Sequence, residues 1–433
     1  MSRRARRALP AAAWLLGAAA LLGACRVAQL AEPPGTAPAR DWRRGEIVVT
    51  WTEAPASEQV RLHAERLGGQ VLAVEGQRAL LRVPAGQELR ACVELRAADP
   101  SVRHAEPNRV VRSQHVGTLR PLARRLQALP NDEAFGRGSP VPGQAVTWGL
   151  SAIRAEAAWE VSTGDPGILV AVIDTGVDMA HPDLATNLDR SGARNFVEAG
   201  RPPDDDFGHG THVAGIIAAV GNNSQGAAGV AFRTKVLPLR VLGVDGSGST
   251  WNTVAALDYA VARKASVINL SLGSSERSDV EEEAIQRAIQ AGAVVVAAAG
   301  NEATDGNYLE YPASYPGVVS VAAIGPDLKR APFSNFNSWV TLSAPGVDVF
   351  STIPTQFSPG VPYGYMSGTS MAAPMVAGAA ALLFAVYPRW TPAQVVERLR
   401  RSARELTPQG DPVAGFDVFF GAGLLDVGKA LGK

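Results

Sequence analysis

Hydrophobic and polar positions change rhythm several times along the 433 residues. Residues 11–22 form an almost unbroken apolar run behind arginines at 3, 4, 6 and 7. That run falls short of the ~20 residues of a membrane-spanning helix, and a basic start before a short apolar stretch predicts an export signal over 1–24. Residues 25–43, rich in Pro, Ala and Gly, have little to pack and predict a tether. Between 44 and 113 the pattern breaks into brief strands, at 46–51 and 79–83, and helices, at 57–67 and 87–97, with a last extended piece at 101–111. These compose a small α+β module. Residues 114–129 carry Arg120, Arg124 and Arg125 among leucines with no core pattern, and predict a linker.

From 130 onward, β-branched runs at 168–173, 235–241, 267–271, 294–299 and 318–324 are interleaved with helical stretches at 211–219, 251–264 and 280–291. This predicts right-handed βαβ units and a parallel sheet covered on both faces, one α/β domain over 130–433. The apolar run 371–387 contains Pro374 and Gly378 and reads as a buried core helix, with Pro374 tolerated in its first turn, where backbone donors have no partners anyway.

Charge alters this picture little. Basic and acidic residues both total 41, and residues 1–129 hold 20 basic and 11 acidic, an excess of +9 that the remainder cancels. The module over 44–113 is nearly neutral, so no basic face for nucleic acid is predicted. Cys25 and Cys92 are the chain's two cysteines, and no disulfide framework follows from them.

The six histidines stand at 63, 104, 115, 181, 209 and 212, so a histidine base in the large domain is His181, His209 or His212. Asp174 closes the strand 168–173, at the carboxyl edge where open α/β sheets gather functional groups; a plain turn at Asp174-Thr175-Gly176 is the other reading. His209 lies between Gly208 and Gly210 at the start of a helix. Ser370 begins the small-residue helix, where free N–H groups and positive potential let a serine act as nucleophile or as simple N-cap. His209 and His212 share a helix face as a zinc pair would, but no third His or Cys accompanies them.

Taken together, Val172-Ile173-Asp174-Thr175-Gly176-Val177, His209-Gly210-Thr211-His212-Val213-Ala214-Gly215 and Gly368-Thr369-Ser370-Met371-Ala372-Ala373-Pro374 resemble the subtilisin-like serine peptidases of the thermitase-like kind, over nearly all of 130–433. The resemblance implies a parallel-sheet catalytic domain in which Ser370 attacks the peptide carbonyl, His209 moves the proton and Asp174 orients the imidazole. It implies that Asn301, after Ala298-Ala299-Gly300, shares the oxyanion with the Ser370 N–H. The order Asp, His, Ser opposes an α/β-hydrolase, whose serine comes first in the chain. A binding scaffold with a dead peptidase fold and an esterase are the alternatives; the intact motif residues oppose the first, and relative turnover of casein and a short ester separates the second.

The 44–113 module resembles the inhibitory propeptides of this family, with Ala105-Glu106-Pro107-Asn108 as its tail, which implies a ferredoxin-like fold and makes the chain's own propeptide a partner alongside protein or peptide substrates. Leu22-Gly23-Ala24-Cys25 resembles the bacterial lipobox, which implies a lipid anchor on Cys25 and a monomeric cell-envelope or secreted enzyme. Asp132, Asp183, Asn223 and the carbonyls of Val220, Gln225 and Ala227 match the strong calcium site of thermitase-like members, an all-oxygen set. A weaker cation site is implied at the carbonyls of Ala313, Tyr315 and Val318, and no organic cofactor. Aligning Tyr311-Pro312-Ala313 with the family's loop puts Glu310 at the base of the S1 pocket and Glu302 near its mouth. Ser271-Leu272-Gly273 and Ala298-Ala299-Gly300 form its walls. Two carboxylates predict a preference for Lys or Arg, and Arg112, Arg120, Arg124 and Arg125 as maturation sites.

Overall fold

The alternation of apolar residues in the first strand sorts its side chains into two different cores. The computed structural model describes residues 41–121, 146–406 and 416–433. The signal, Cys25, Asp132 and the linker beyond residue 121 lie outside the described residues. The N-terminal module comprises β1 (Trp42–Trp51), α1 (Ser57–Arg66), β2 (Gln70–Glu75), β3 (Arg78–Arg82), α2 (Glu88–Ala98) and β4 (Val102–Ser113). Its antiparallel strands run in the order β4-β1-β3-β2. Ile47, Val49 and Trp51 pack with Val60 and Ala64 of α1 and Leu95 of α2. Val48, on the opposite face by the twofold period of a strand, joins a core of the large domain. Strand β2 escaped prediction because none of its residues is fully buried and both of its ends are polar.

The next strand is β5 (Val116–Pro121), followed by α3 (Trp148–Ala152), α4 (Ala155–Trp159), β6 (Leu169–Asp174), β7 (Arg194–Asn195), α5 (His209–Ala218), β8 (Lys235–Arg240) and β9 (Ser247–Ser249). Then come α6 (Thr250–Ala262), β10 (Val267–Leu270), β11 (Leu272–Gly273), α7 (Asp279–Gln290), β12 (Val294–Ala298) and β13 (Val319–Ile324). The chain closes with β14 (Val340–Pro345), β15 (Val349–Thr352), β16 (Tyr363–Ser367), α8 (Thr369–Val386), α9 (Pro392–Ser402) and α10 (Val427–Ala430).

Seven strands form the central sheet in the order β14-β13-β12-β10-β6-β8-β7, all pairings parallel. The five β-branched runs supply its five inner strands. Its edges, the two-residue β7 and the polar-interrupted β14, were not predicted. Val170 and Val172 face the core shared with α5 and α8, whereas Ala171 and Ile173 face that of α6 and α7. Burial on both faces is why these strands read as continuous apolar runs. Helix α8 is buried along all but its last two residues, as a core helix.

Pro374 sits in the second turn of α8, not the first. A proline there has no N–H for the carbonyl four residues back, and that carbonyl, on Ser370, accepts instead from Ser271 Oγ at 2.9 Å. The segment predicted as a linker is also different up to residue 121. Strand β5 pairs antiparallel with β16, which pairs with β15, so its order comes from main-chain hydrogen bonds and leaves no core periodicity to read.

Residues Trp42–Lys433 form one unit, and β4 is what runs through it. Its first part pairs with β1, Val49 opposite Ala105 and Ile47 opposite Pro107. Its last residues lie between two strands of the large domain, Val111 opposite Gly248 of β9 and Arg112 opposite Gly273 of β11. Glu106 accepts from Ser278 Oγ and from the Asp279 N–H at 3.0 Å, covering the amino end of α7.

Candidate active site

Asp174 ends β6 and His209 begins α5, and both are fully buried. His209 Nδ1 and Asp174 Oδ1 are 2.7 Å apart, and the same oxygen accepts from the Thr175 N–H at 2.7 Å. A carboxylate on Nδ1 keeps the proton there and leaves the lone pair on Nε2. His209 Nε2 is buried with no hydrogen-bond partner among the described residues. Buried polar atoms are ordinarily partnered, and a catalytic role is one of the reasons for an exception.

The close approach of the two elements depends on Gly210, because a Cβ there would lie 2.1 Å from the Gly176 carbonyl oxygen. It also depends on Asp205, a residue that the sequence reading missed. This buried carboxylate accepts from Gly208 N at 2.7 Å, Thr211 N at 2.8 Å, Thr211 Oγ1 at 2.6 Å and Thr175 Oγ1 at 2.8 Å. It therefore fixes the first turn of α5, which carries His209, against the turn after Asp174. Burial pushes the Asp205 carboxyl up, and the bonds from Thr211, Gly208 and Thr175 pull it back. An aspartate a few residues ahead of a helix was the available signal.

The other two histidines are structural. His181 Nε2 meets the Pro362 carbonyl at 3.0 Å while its Nδ1 accepts from the Asp183 N–H. His212 is buried against the Gly364 carbonyl, and burial followed by the neighbouring His209 pushes it down to about 3. No group of three or more His, Cys, Asp or Glu suited to a metal occurs among the described residues.

Ser370 is the second residue of α8, and its Oγ donates to the Ser271 carbonyl at 3.0 Å. Its N–H, free as at any helix start, donates to the Gln114 carbonyl at 3.0 Å. Asn301 is held by its Oδ1, which accepts from Thr369 N at 2.9 Å, and its Nδ2 reaches Gln114 Oε1 at 3.4 Å. The chain's own segment 110–116 thus lies through the cleft in extended form.

The expected pocket walls hold that segment. The Ser271 carbonyl accepts from the Gln114 N–H at 3.0 Å, and Leu272 and Gly273 pair with Ser113 and Arg112. Ala298, Ala299 and Gly300 are buried beneath, with the Gly300 N–H on Thr369 Oγ1 at 3.2 Å. Glu310 is only 3% exposed and its Oε1 accepts from Gln114 Nε2 at 2.8 Å. Glu302 turns elsewhere, its Oε2 accepting from Asn301 N at 2.7 Å and Asn335 Nδ2 at 3.0 Å, because Asn335 competes for it. The pocket expected to receive arginine holds glutamine, since Arg112 is committed to β9 and β11 two residues upstream.

Of the oxygen ligands expected near Asp183, Asn223 faces it with Nδ2, 2.6 Å from Asp183 Oδ1, while Ala227 N and Tyr363 OH donate to Oδ2 at 3.1 and 3.2 Å. Asn222 and Ser224 take positive φ, wrapping the loop around this buried carboxylate. Asn223 Oδ1 meanwhile accepts from the Gln225 N–H at 2.9 Å, so presenting that oxygen to a hard cation here would take a half-turn of the amide and the loss of that bond. At the other expected cation position, the Tyr315 carbonyl accepts from Val318 N at 3.3 Å.

Known families match two parts of the chain. Residues 165–423 match the Subtilase family and residues 29–108 match the fervidolysin N-terminal prodomain. Subtilisin NAT of Bacillus subtilis subsp. natto is 40% identical over 289 residues, 66% of this chain and 71% of that protein. Subtilisin of Bacillus pumilus is likewise 40% identical over 289 residues, 66% of this chain and 99% of its own length. The crystal structure of fervidolysin from Fervidobacterium pennivorans, a keratinolytic enzyme related to subtilisin, superposes with a TM-score of 0.74 at 28% identity. That match covers 92% of this chain and 62% of the fervidolysin chain, so this chain spans less than two thirds of that protein.

The segment in the cleft carries its own titrating group. The His115 ring lies 5.2 Å from that of His209 and 5.5 Å from that of Phe207, and burial, then His209, pushes it from 6.5 down to about 4. A depressed value in the seated state means that the withdrawn segment binds the proton more readily. Seating is therefore strongest above about 6.5 and weakens as pH falls toward 4. Amide hydrogen exchange at Gln114, His115 and Val116, corrected for its intrinsic pH dependence, should accelerate over that interval.

Proposed function

Because the chain belongs to the subtilase family of serine endopeptidases and carries a prodomain ahead of its catalytic domain, we propose that Asp174, His209 and Ser370 hydrolyse peptide bonds through an acyl-enzyme, in an exported precursor that processes itself. The observation that carries this reading is the Gln114 carbonyl on the Ser370 N–H, beside a His209 Nε2 with no partner. Ser370 Oγ, once rotated from the Ser271 carbonyl to Nε2, attacks the peptide carbon as His209 takes its proton. Asp174 then stabilises the imidazolium. The alkoxide forms where the Ser370 N–H already points, and Asn301 Nδ2, now 3.4 Å from Gln114 Oε1, would turn to share it. Donors aimed at the developing charge are worth about 10²- to 10³-fold each in kcat. His209 returns the proton to the leaving amine, and water repeats the sequence on the ester.

Two further features belong to this proposal. Asp183 and Asn223, with the carbonyls of Val220, Gln225 and Ala227 and with Asp132, would hold Ca²⁺, which supplies charge neutralisation to a buried carboxylate. Cys25 would carry lipid and tether the exported enzyme to the cell envelope, one site needing more than one acyl chain for stable attachment.

Three outcomes are expected. Ser370→Ala leaves the full-length precursor uncut and abolishes labelling by a fluorophosphonate, as gel mobility and mass spectrometry report; normally sized mature enzyme in that variant contradicts the assignment. Chelation lowers the melting temperature, because a cation bound only by the native state stabilises it by about 2.7 kcal/mol at a hundredfold excess over Kd. Asp183→Ala removes most of that response, and an unchanged response in the variant rules the loop out. Cys25→Ser shifts the protein from the membrane to the soluble fraction of the envelope, whereas equal retention leaves only ordinary signal cleavage.

A further inference from the structure

The cleft holds one peptide bond of the chain's own, and the residues around it single out both the bond and the side chain before it. On the upstream side, Val110, Val111 and Arg112 pair with Ser249, Gly248 and Ser247 of β9, and Arg112 and Ser113 pair with Gly273 and Leu272 of β11. Ser113 N donates to the Gly246 carbonyl at 3.1 Å and Gln114 N to the Ser271 carbonyl at 3.0 Å. On the downstream side, Val116 pairs with Ser367 of β16. Between them, the Gln114–His115 peptide lies against Gly368: a Cβ there would come within 2.7 Å of both the Gln114 carbonyl oxygen and the His115 Cα. Only a residue without a side chain lets this bond rest on the start of α8.

The Gln114 side chain is the more informative part. It is buried, its Nε2 donates to Glu310 Oε1 at 2.8 Å, and its Oε1 is 3.4 Å from Asn301 Nδ2. Glu310 reaches it past Gly273, where a Cβ would stand 2.6 Å from the same Oε1. The loop carrying Glu310 is fixed by reciprocal bonds between Ser274 and Tyr311, each 2.9 Å. With Glu310 Oε1 placed as an acceptor, the pocket welcomes a side chain ending in N–H and leaves a cost unmet when an isostere lacks it.

Resting on the peptidase reading above, we infer that the precursor cuts itself between Gln114 and His115, and that Glu310 makes the pocket selective for glutamine over its isosteres glutamate and methionine. In the reaction, Ser370 Oγ bonds to the Gln114 carbonyl carbon and the bond to the His115 nitrogen breaks. The serine proton passes through His209 Nε2 to that nitrogen, which becomes the new amino terminus. One water then releases a Gln114 carboxylate and restores Ser370. The bond lies outside the arginines that charge alone suggested, because position on β4, not charge, brings a residue to Ser370.

The test uses the full chain. Early time points of wild-type maturation should give a released prodomain ending at Gln114 and a partner beginning at His115 by intact mass. Gln114→Met and Gln114→Glu should each slow this cut about 10- to 100-fold, the scale of one buried hydrogen bond left unmade. Adding Glu310→Gln to the Gln114→Glu chain should restore much of the rate, since its amide can donate to the new carboxylate; a folding defect would not be repaired this way. The mature wild-type enzyme, given matched peptides with Gln, Glu or Met before the scissile bond, should show the same order in kcat/KM. A prodomain ending elsewhere, or equal rates for the three side chains, overturns the inference while casein hydrolysis keeps the peptidase reading intact. A wild-type chain that cleaves neither itself nor casein overturns both.

Discussion

A β-strand must satisfy two edges and two faces, and β4 does so with parts of two domains. Along one stretch its backbone bonds to β1 and its side chains help close the module's own core. Along the next, β9 and β11 take both edges and leave no freedom of register. A slip of one residue would turn every side chain of β4 to the opposite face, exchanging Ala105 and Val111 for charged neighbours. The position of Gln114 over Ser370 is therefore a consequence of packing many residues upstream. The cleft holds its own chain through the same main-chain bonds that any extended peptide would use.

The catalytic domain shows how burial of a parallel sheet places chemistry at one edge. Asp174 ends β6, Ser271 follows β10, and Asn301 follows β12, three strands that are neighbours or near neighbours in the sheet. Their side chains need no long loops to converge. The amino ends of α5 and α8 supply the rest from above that edge. Ser271 has a double part, since its carbonyl receives Ser370 Oγ and the Gln114 N–H while its own hydroxyl serves the carbonyl that Pro374 leaves without a donor. A helix imperfection is thus turned into a fixed point for the residue that the mechanism rotates.

Much of this was legible in the sequence, and the reasons are specific. The inner strands announce themselves by β-branched runs because both faces are buried. Asp174 could be placed by strand ends and Ser370 by its helix start, while counting histidines narrowed the base to His181, His209 or His212. Their joint resemblance to a known family then gave roles to each. What escaped was held by main-chain bonds or by buried polar contacts that leave no periodic trace. Strands β5 and β9 pair through their backbones, so nothing in their side chains advertises them. Asp205 looks like one acid among three, and only geometry distinguishes the buried member from Asp204 and Asp206. Gln114 has an ordinary composition and an extraordinary position. Glu310 was read as the base of a pocket for a guanidinium, and in the structure its Oε1 accepts from the Gln114 amide instead.

The continuity of β4 into β5 also sets how the cleft is occupied. While the chain is whole, the segment in the cleft is an intramolecular ligand, present at an effective concentration set by the connecting chain. Were the backbone severed next to Ser370 as proposed, the same contacts would belong to two molecules and their association would obey mass action. Occupancy then depends on how much protein is in the compartment. On the proposed reading, an enzyme crowded beside its origin would stay covered by its module, and one dispersed into a larger volume would lose that cover without any further chemical step.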